Sequence, residues 1–269
     1  ILRIFVKYNK NSRLHLELRA EKLDAEMAEL LKQARVELEI GIQSIASRTL
    51  KLINRNLDRN IFAKKIRLLN RKNIFYEVQL IDALPGHTYD KIKEGVDWLI
   101  SLRSPAIKIM RLLVLPGTDL REKAKDLGIK YDPEPDYFWQ RTDTLSPDDQ
   151  NKIMSLRQAL EILYNRGFLR YTLFVLKKGL DINFNDIFEA WTAWSSQSRV
   201  AEKKGRFELR RVLRSSLPCQ LYHSGGGNVF PSFIKYLCNK YKNVHLLKKA
   251  YRVFLQRDFK VENFLKAKL

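Results

Sequence analysis

The stretch VELEIGIQSIASRTLKLINR, residues 36–55, decides the fold predicted from this sequence. Apolar residues alternate with glutamates and a glycine up to Ile42, and this period of two predicts a β-strand. The chain then turns at Gln43 and Ser44 and continues as a helix that carries Arg55 near its end. We therefore expect Gln43 and Ser44 at the carboxyl end of a strand, where open α/β sheets and barrels bind ligands.

Three more strand patterns flank this unit, and helix patterns separate them. Strands are predicted in LHLELRA, in IFYEVQLIDALPGHT and in AIKIMRLLVL, which begin at residues 14, 74 and 106. Helices are predicted at 24–34, 49–54, 60–73 and 89–102. The order βαβαβαβ, with connections long enough for right-handed crossovers, predicts a parallel sheet or part of a barrel. We find four such units, whereas a six-fold barrel needs two more.

The character of the chain changes after Gly128, which predicts a second domain. Residues 131–137 contain two prolines and are predicted to be a linker or an extended segment. Ser146, Pro147 and the acids that follow them form a helix start. From there, helices are predicted at 147–166, 169–178, 184–197, 207–216, 229–241 and 245–257. The predicted fold class is α/β, with a partial barrel over residues 1–130 and a mostly α-helical domain over residues 131–269.

The composition allows a packed core and no membrane span. Of the 269 residues 45% are hydrophobic, and no apolar run reaches membrane-spanning length. The first residues, ILRIFVKYNK, lack a signal-peptide cleavage site, and two cysteines argue against a disulfide scaffold. These features predict a cytoplasmic protein with no membrane partner. Because the sequence opens with Ile1 inside a helix pattern, we also expect that its beginning is missing.

The net charge is strongly positive. Fifty lysines and arginines against 30 acids give +20 at pH 7. Such a charge attracts phosphate-rich partners, and nucleic acid is the first candidate. The charges are scattered over nearly every predicted helix, however, and no tight basic block with interleaved aromatic residues stands out. A lysine-rich solvated surface is therefore the alternative explanation.

Five pieces of sequence, LHLELRA, EIGIQS, TLKLINR, QLIDALPGHT and LLVLPGT, follow one another between residues 13 and 120. In this order they resemble the radical S-adenosylmethionine (SAM) enzymes, particularly those with a cobalamin-binding domain ahead of the barrel. Residues 131–200, with YDPEPDYFWQRTDTLSPDD, look like the helical domain of unknown function that follows the barrel in one branch of that family. The resemblance implies an incomplete (β/α)6 barrel similar to a TIM barrel. In the complete protein it implies SAM, a 4Fe-4S iron–sulfur cluster and possibly cobalamin.

The resemblance also implies cofactor ligands, which map by position to Glu17, Gln43, Arg55 and Gln79. Ser44, beside Gln43, is a fifth candidate. A carboxylate can bind the ammonium group of the methionine moiety, an amide can bond ribose hydroxyls, and a guanidinium can bind a carboxylate through two hydrogen bonds. Gln79 stands where the family usually has aspartate, so this position would bond a hydroxyl without carrying a charge. No catalytic residue and no metal ligand is predicted in this chain.

The Cys-x-x-x-Cys-x-x-Cys motif that holds the cluster in this family does not occur in the sequence. Cys219 and Cys238 lie beyond the predicted barrel and cannot supply that spacing. The four strands would then be strands three to six of the barrel, and the chain the carboxyl-terminal fragment of an enzyme. Its partner would be the missing N-terminal half, with the cluster and cobalamin domains. By itself the chain is expected to be inactive, and its substrate, a small molecule or RNA, stays open.

Two other hypotheses stay open. One is a non-catalytic basic module, derived from a radical SAM barrel, that binds nucleic acid or another partner. The other is that the chain never exists alone. In that case the strand at 14–20 would present an unpaired edge, and the isolated chain would aggregate.

The other polar candidates have simpler structural explanations. We expect His15 to line the barrel or pack within it, although a substrate contact is open, and we expect His87 on a loop to be solvated. The sequence does not combine Ser44 with a histidine and an aspartate in the order of a known hydrolase triad. Cys219 and His223 supply two of the four ligands of a zinc site, and nothing nearby in the sequence completes it.

Overall fold

The computed structural model describes residues 1–9, 11–34, 36–197 and 229–258. In its first part, strands and helices alternate along the chain as predicted. The strands are β1 (His15–Leu18), β2 (Glu37–Gln43), β3 (Tyr76–Ile81) and β4 (Ala106–Met110). The helices that precede and separate them are α1 (Leu2–Tyr8), α2 (Ala25–Ala34), α3 (Ser47–Leu52), α4 (Arg59–Arg71) and α5 (Tyr89–Ser101).

The four strands form one parallel sheet in the order β1-β2-β3-β4. Each strand lies beside the next one in the chain, and the intervening helices provide the crossovers. In register, Glu17 lies beside Glu39 and Glu39 lies beside Glu77. β1 is an edge strand, which pairs only with β2 within the described residues. The structure confirms the predicted α/β class, with parallel strands arranged as in part of a barrel and a mostly helical region after them.

The two faces of this sheet differ in polarity, because successive side chains of a strand point to opposite faces. One face is apolar, and its residues Leu38, Ile40 and Val78 are at most 2% exposed. Helix α5 comes close to this face at Gly95, where a Cβ atom would lie 3.3 Å from a methyl carbon of Leu80. The other face carries charged and amide side chains and positions the candidate site.

A small antiparallel hairpin follows the parallel sheet. After the short helix α6 (Asp119–Glu122), the chain forms β5 (Lys130–Tyr131) and β6 (Trp139–Arg141). The segment predicted to be a linker or extended connects these two strands. Trp139 is 1% exposed, so its burial anchors one strand of the hairpin in the core of this part of the chain.

The rest of the described chain is helical, as predicted. Its helices are α7 (Pro147–Leu160), α8 (Arg170–Leu180), α9 (Phe184–Gln197), α10 (Val229–Lys240) and α11 (His245–Val253), with π-helical turns at Glu161–Asn165 and Phe254–Asp258. Helices α9 and α10 meet through aromatic rings, since the ring centroids of Trp191 and Phe233 lie 5.0 Å apart. The helix predicted at 207–216 and the half metal site at Cys219 and His223 lie outside the described residues.

By its internal contacts the chain divides into two compact units, Ile1–Ile153 and Met154–Leu269. The predicted domain boundary after residue 130 stays a prediction, because compactness does not define where the domain of a family ends. Within the ranges that the structure describes, we find no helix that is both long enough and apolar enough to cross a membrane.

Candidate functional site

The candidate site is the polar face of the parallel sheet. Alternation along the strands and the parallel register bring polar side chains from all four strands onto it. We define the polar sheet face by His15, Glu17, Glu37, Glu39, Gly41, Glu77, Gln79 and Lys108. Four of these eight residues are glutamates, so charge compensation decides what this face can bind.

Two of the four glutamates have a lysine or arginine beside them, and a third has a histidine ring beside it. His15 Nε2 lies 3.2 Å from Glu39 Oε1, Lys108 Nζ lies 2.7 Å from Glu77 Oε2, and Arg13 Nη1 lies 3.3 Å from Glu37 Oε1. Glu17 is the exception, since no ion pair joins its carboxylate to any cation in the described ranges. Its strand neighbour Glu39 has the His15 ring beside it. The Glu17 carboxylate is therefore the one on this face that is open to a cationic ligand.

Glu17 and Gln43 meet above Gly41. A Cβ atom on Gly41 would lie 3.4 Å from Glu17 Oε1 and would collide with the side-chain amide of Gln43. Glycine thus leaves room for the amide in this position, because a larger residue would shift the end of the Gln43 side chain away from the carboxylate. Sequence reasoning did not single out Gly41 as functional. Its signal was a glycine in the middle of a strand, which often marks the close approach of another group.

The backbone at the end of β2 turns the Gln43 side chain back over the strand. Gln43 has a φ of +61°, and the pairing with β3 is irregular between Gly41 and Gln43. With its nitrogen facing the strand, the Gln43 amide donates to the carbonyls of Gly41 at 3.2 Å and Ile42 at 3.3 Å. A non-glycine residue at positive φ is costly, and such residues cluster at binding sites.

Gln79 joins this group through the sheet. It lies beside Gly41 on one side and Lys108 on the other in the parallel register. Its Nε2 donates to Glu77 Oε1 at 3.1 Å, which fixes the direction of its amide. Three predicted residues, Glu17, Gln43 and Gln79, are therefore brought to the same region of the sheet.

Arg55 is the fourth ligand candidate implied by the resemblance. It follows α3, its side chain is half-buried, and its backbone N–H donates to the carbonyl of Leu50 at 2.8 Å. In the described part of the chain, no hydrogen bond or ion pair joins the Arg55 guanidinium to Glu17, Gln43 or Gln79. Its predicted role as a carboxylate ligand stays a prediction.

Ser44 is fully buried at the turn between β2 and α3. Its Oγ lies 3.1 Å from His87 Nε2 and accepts a hydrogen bond from the backbone N–H of Ala46 at 3.0 Å. The hydroxyl thus organises the turn that positions Gln43. A direct contact of Ser44 with the cofactor stays a prediction.

The expectation that His87 is solvated is wrong. Its side chain is 0% exposed, because it packs against Ser44 while its own carbonyl accepts a hydrogen bond from Thr144 Oγ1 at 2.6 Å. Burial lowers the pKa of His87 to about 4, against a weak opposing effect of the Ile81 carbonyl. Neutral His87 therefore joins the end of β2 to the loop after β3. A serine and a histidine do meet here, but neither is accessible to a substrate.

His15 lies on the polar sheet face, as expected for a residue that lines the barrel. Its ring is 60% exposed and faces Glu39 and Glu37. Its ring nitrogens thereby lie beside two of the acids on this face. A substrate contact of His15 stays open.

The family resemblance implies SAM and an iron–sulfur cluster. The donor groups on this face suit part of SAM, but they do not suit the cluster. A free carboxylate beside two amides suits the ammonium and hydroxyl groups of SAM. For the iron–sulfur cluster the residues do not fit. No group of three histidine, cysteine or acidic side chains in the described ranges could hold a metal ion, and the whole sequence has two cysteines.

In a comparison with known protein families, residues 1–126 match the family model of the Radical SAM superfamily. An uncharacterized protein of Methanocaldococcus jannaschii is 32% identical over 106 residues, which are 39% of this chain and 33% of that protein. Uncharacterized protein YtqA of Bacillus subtilis is 28% identical over 111 residues, 41% of this chain and 34% of that protein. The chain thus spans about a third of the length of these curated relatives. The superfamily inferred from the strand motifs is supported for the first part of the chain.

Two solved structures are also similar. The radical SAM methyltransferase TsrM from Kitasatospora setae, with cobalamin and a [4Fe-4S] cluster bound, has a TM-score of 0.39 and 19% identity, covering 54% of this chain and 31% of its own. The radical SAM enzyme coproporphyrinogen III oxidase (HemN) from Escherichia coli has a TM-score of 0.38 and 15% identity, covering 58% and 42%. Likenesses at this level are too weak to support a function.

Proposed function

We propose that the polar sheet face is part of the SAM site of a radical SAM enzyme, with Glu17 binding the ammonium group of the cofactor. The observation that carries this proposal is the state of the Glu17 carboxylate. It has no ion pair within the described residues, and it lies with the Gln43 amide over a glycine that leaves room for both. The match of residues 1–126 to the Radical SAM superfamily supports the choice of ligand.

Each candidate residue has a role that suits its chemistry. The Glu17 carboxylate holds the ammonium group, and the amides of Gln43 and Gln79 bond hydroxyl groups of the ribose. Arg55 binds the carboxylate of the methionine moiety through two hydrogen bonds. Ser44 holds the turn on which Gln43 sits. Each hydrogen bond to a charged group contributes about 1.5–3 kcal/mol, so the loss of one weakens binding without abolishing it.

When bound, SAM supplies a sulfonium centre whose carbon–sulfur bonds the family cleaves. The residues of this chain bind and orient that group. They do not include a set that fits the iron–sulfur cluster, so no step is derived through the cluster. As part of the proposal, segments outside these 269 residues hold the cluster and, in an enzyme of the cobalamin type, the cobalamin.

The test is a calorimetric titration of SAM into the intact protein. Glu17→Gln keeps the size of the side chain and removes its charge, and we expect it to weaken binding at least tenfold. The matched control is Glu37→Gln, the same substitution on the same sheet face at a carboxylate that is already paired with Arg13. Equal affinities for the wild type and Glu17→Gln would refute the assignment.

The same titration tests Arg55. We expect Arg55→Ala to weaken SAM binding more than tenfold, because a two-point hydrogen bond to a carboxylate is lost. Arg67→Ala, at an exposed position on α4, is the control for a general loss of positive charge. Unchanged binding by Arg55→Ala would remove Arg55 from the site while leaving Glu17 in it.

The second candidate function is a non-catalytic module that binds nucleic acid, and the net charge of +20 favours it. Its expected signature is RNA binding that weakens steeply with salt. Absence of RNA binding, or binding that does not respond to salt, would count against this function.

A further inference from the structure

A cavity of about 400 Å³, which shares no residue with the polar sheet face, lies between the segment after α6 and the β5–β6 hairpin. Its size is within the range of small-ligand pockets. Charged residues dominate its walls. Four are cationic and two are acidic: Arg121, Lys125, Lys130, Arg141, Glu122 and Asp143. The lining therefore carries two more positive than negative charges. This excess is close in magnitude, and opposite in sign, to the charge of a phosphate monoester at neutral pH.

Two of these cations face each other across the hairpin. Lys130 and Arg141 are register partners in the antiparallel pair of β5 and β6. Side chains in such positions start about 5 Å apart, and like charges directly opposite each other are destabilising. The hairpin thus places two positive charges together at the wall of a cavity. An anion between them would convert this repulsion into attraction.

The cations of the cavity are not neutralised from within the protein. Elsewhere in the same unit lysines pair with acids, as Lys72 does with Glu29 at 2.7 Å. In the ranges that the structure describes, by contrast, no ion pair forms at Lys125, Lys130 or Arg141. Their charge is available to a ligand.

Arg121 is held in position at the cavity by its surroundings. Its Nη1 donates to the carbonyl of Val114 at 3.2 Å. The guanidinium carbon lies 5.1 Å from the ring centroid of Tyr131 and 5.0 Å from that of Tyr137. A guanidinium stacked on aromatic rings and fixed at one nitrogen keeps other N–H groups for an anion, and less side-chain freedom is lost when the anion binds.

Gly128 fixes one acidic wall of the cavity. It has a φ of +64°, and a Cβ atom there would collide with the carboxylate of Asp143. The acid therefore packs against the backbone of the facing segment, without an ion pair to any of the cavity cations. A ligand in the cavity would therefore meet four cations and two acids, with a net charge of +2.

We propose that this cavity binds the phosphate group of a small phosphorylated molecule, with Lys130 and Arg141 as its main ligands. Arg121 and Lys125 supply further positive charge. A concave site of this volume suits a compact phosphate ester. This site is independent of the SAM proposal, because the two share no residue.

The test measures binding of inorganic phosphate to the whole chain by calorimetry, with sodium chloride as the reference at equal ionic strength. The variant Lys130→Gln/Arg141→Gln removes the facing cations. We expect at least a tenfold loss of phosphate affinity. The matched control is Lys64→Gln/Arg67→Gln, which removes two exposed cations from α4 and should bind phosphate like the wild type.

Two further measurements keep the test decisive. Because the double substitution in the hairpin removes a repulsion, the thermal midpoint of that variant in chloride should equal or exceed that of the wild type. Lys125→Gln, outside the hairpin, should also weaken phosphate binding. The proposal is overturned if the wild type shows no saturable phosphate binding, or if the α4 control loses as much affinity as the hairpin variant.

A single-stranded oligonucleotide is the last probe, because a phosphodiester backbone offers related chemistry. We expect its binding to be the same in the hairpin variant and in the α4 control. If oligonucleotide binding depends on Lys130 and Arg141 while inorganic phosphate neither binds nor competes, the site belongs to a nucleic acid and the small-ligand proposal is wrong.

Discussion

Acidification should destabilise the compact unit Ile1–Ile153, which we call the parallel-sheet unit, through one residue, His87. This side chain is fully buried beside Ser44, and burial lowers its pKa to about 4 from the ordinary 6.5. Below pH 6.5 the unfolded chain binds a proton at this histidine while the folded chain does not. The stabilisation is therefore fully present above pH 6.5 and is lost as the pH falls towards 4.

The size of the effect follows from the two pKa values. Each pH unit between them costs about 1.4 kcal/mol of unfolding free energy. Between pH 7 and pH 5 the loss from His87 should be about 2 kcal/mol, and at pH 4 and below it should approach about 3 kcal/mol. A loss of this size is a large fraction of the stability of a typical domain.

The assay is urea denaturation at pH 7 and at pH 5, followed by pulse-labelling hydrogen exchange at one common pH. Mass spectrometry of peptides between residues 74 and 101 reports the unfolding of the parallel-sheet unit alone. His87→Gln cannot titrate and keeps an amide that can bond the Ser44 hydroxyl. We expect this variant to lose about 2 kcal/mol less than the wild type between the two pH values.

His245→Gln is the matched control, because His245 is exposed at the start of α11. It should keep the pH dependence of the wild type. Equal losses for the wild type and His87→Gln would show that His87 does not resist protonation, and the reasoning from its burial would be refuted.

Three further predictions concern close packing and helix capping. Gly41→Ala should weaken SAM binding at least tenfold, because a methyl group would collide with the Gln43 amide; calorimetry that finds unchanged affinity would contradict this. Asp258→Ala should lower the stability of α8 by about 1–2 kcal/mol, since the carboxylate accepts hydrogen bonds from the backbone N–H groups of Tyr171 and Thr172. Hydrogen exchange in peptides of 170–180 measures that loss. Gly179→Ala should destabilise the helical unit by about 1–3 kcal/mol through overlap with a leucine of α11, and a denaturation curve that matches the wild type would contradict it.

Much of the first unit could be predicted from local patterns. The alternation in residues 36–42 fixes which side chains of β2 share a face. The resemblance to radical SAM enzymes, and not this alternation, pointed to Glu17, Gln43 and Gln79 before the structure was known, and the sheet register brings them to one region. The role of Gly41 was missed because a glycine in a strand does not say which side chain approaches it. Only the backbone turn at Gln43, with its positive φ, brings the amide back over that glycine.

The same limit explains the error at His87. A histidine after proline and glycine is typical of an exposed loop. Here Ser44, 43 residues earlier, and Thr144, 57 residues later, close over it. Contacts at such separations depend on how the loops fold back onto the sheet, and no window of sequence around His87 contains them.

The sequence by itself determined the parallel α/β order and the polar and apolar faces of the sheet, because these depend on residue periodicity and connection length. Only the tertiary structure decided which charged side chains are compensated by an oppositely charged neighbour. It paired two of the four glutamates on the polar sheet face with a lysine or arginine, placed His15 beside a third and left Glu17 without an ion pair. It also set Lys130 opposite Arg141 beside a cavity. The physical reason is that charge compensation is a property of neighbours in space, which chain order does not specify.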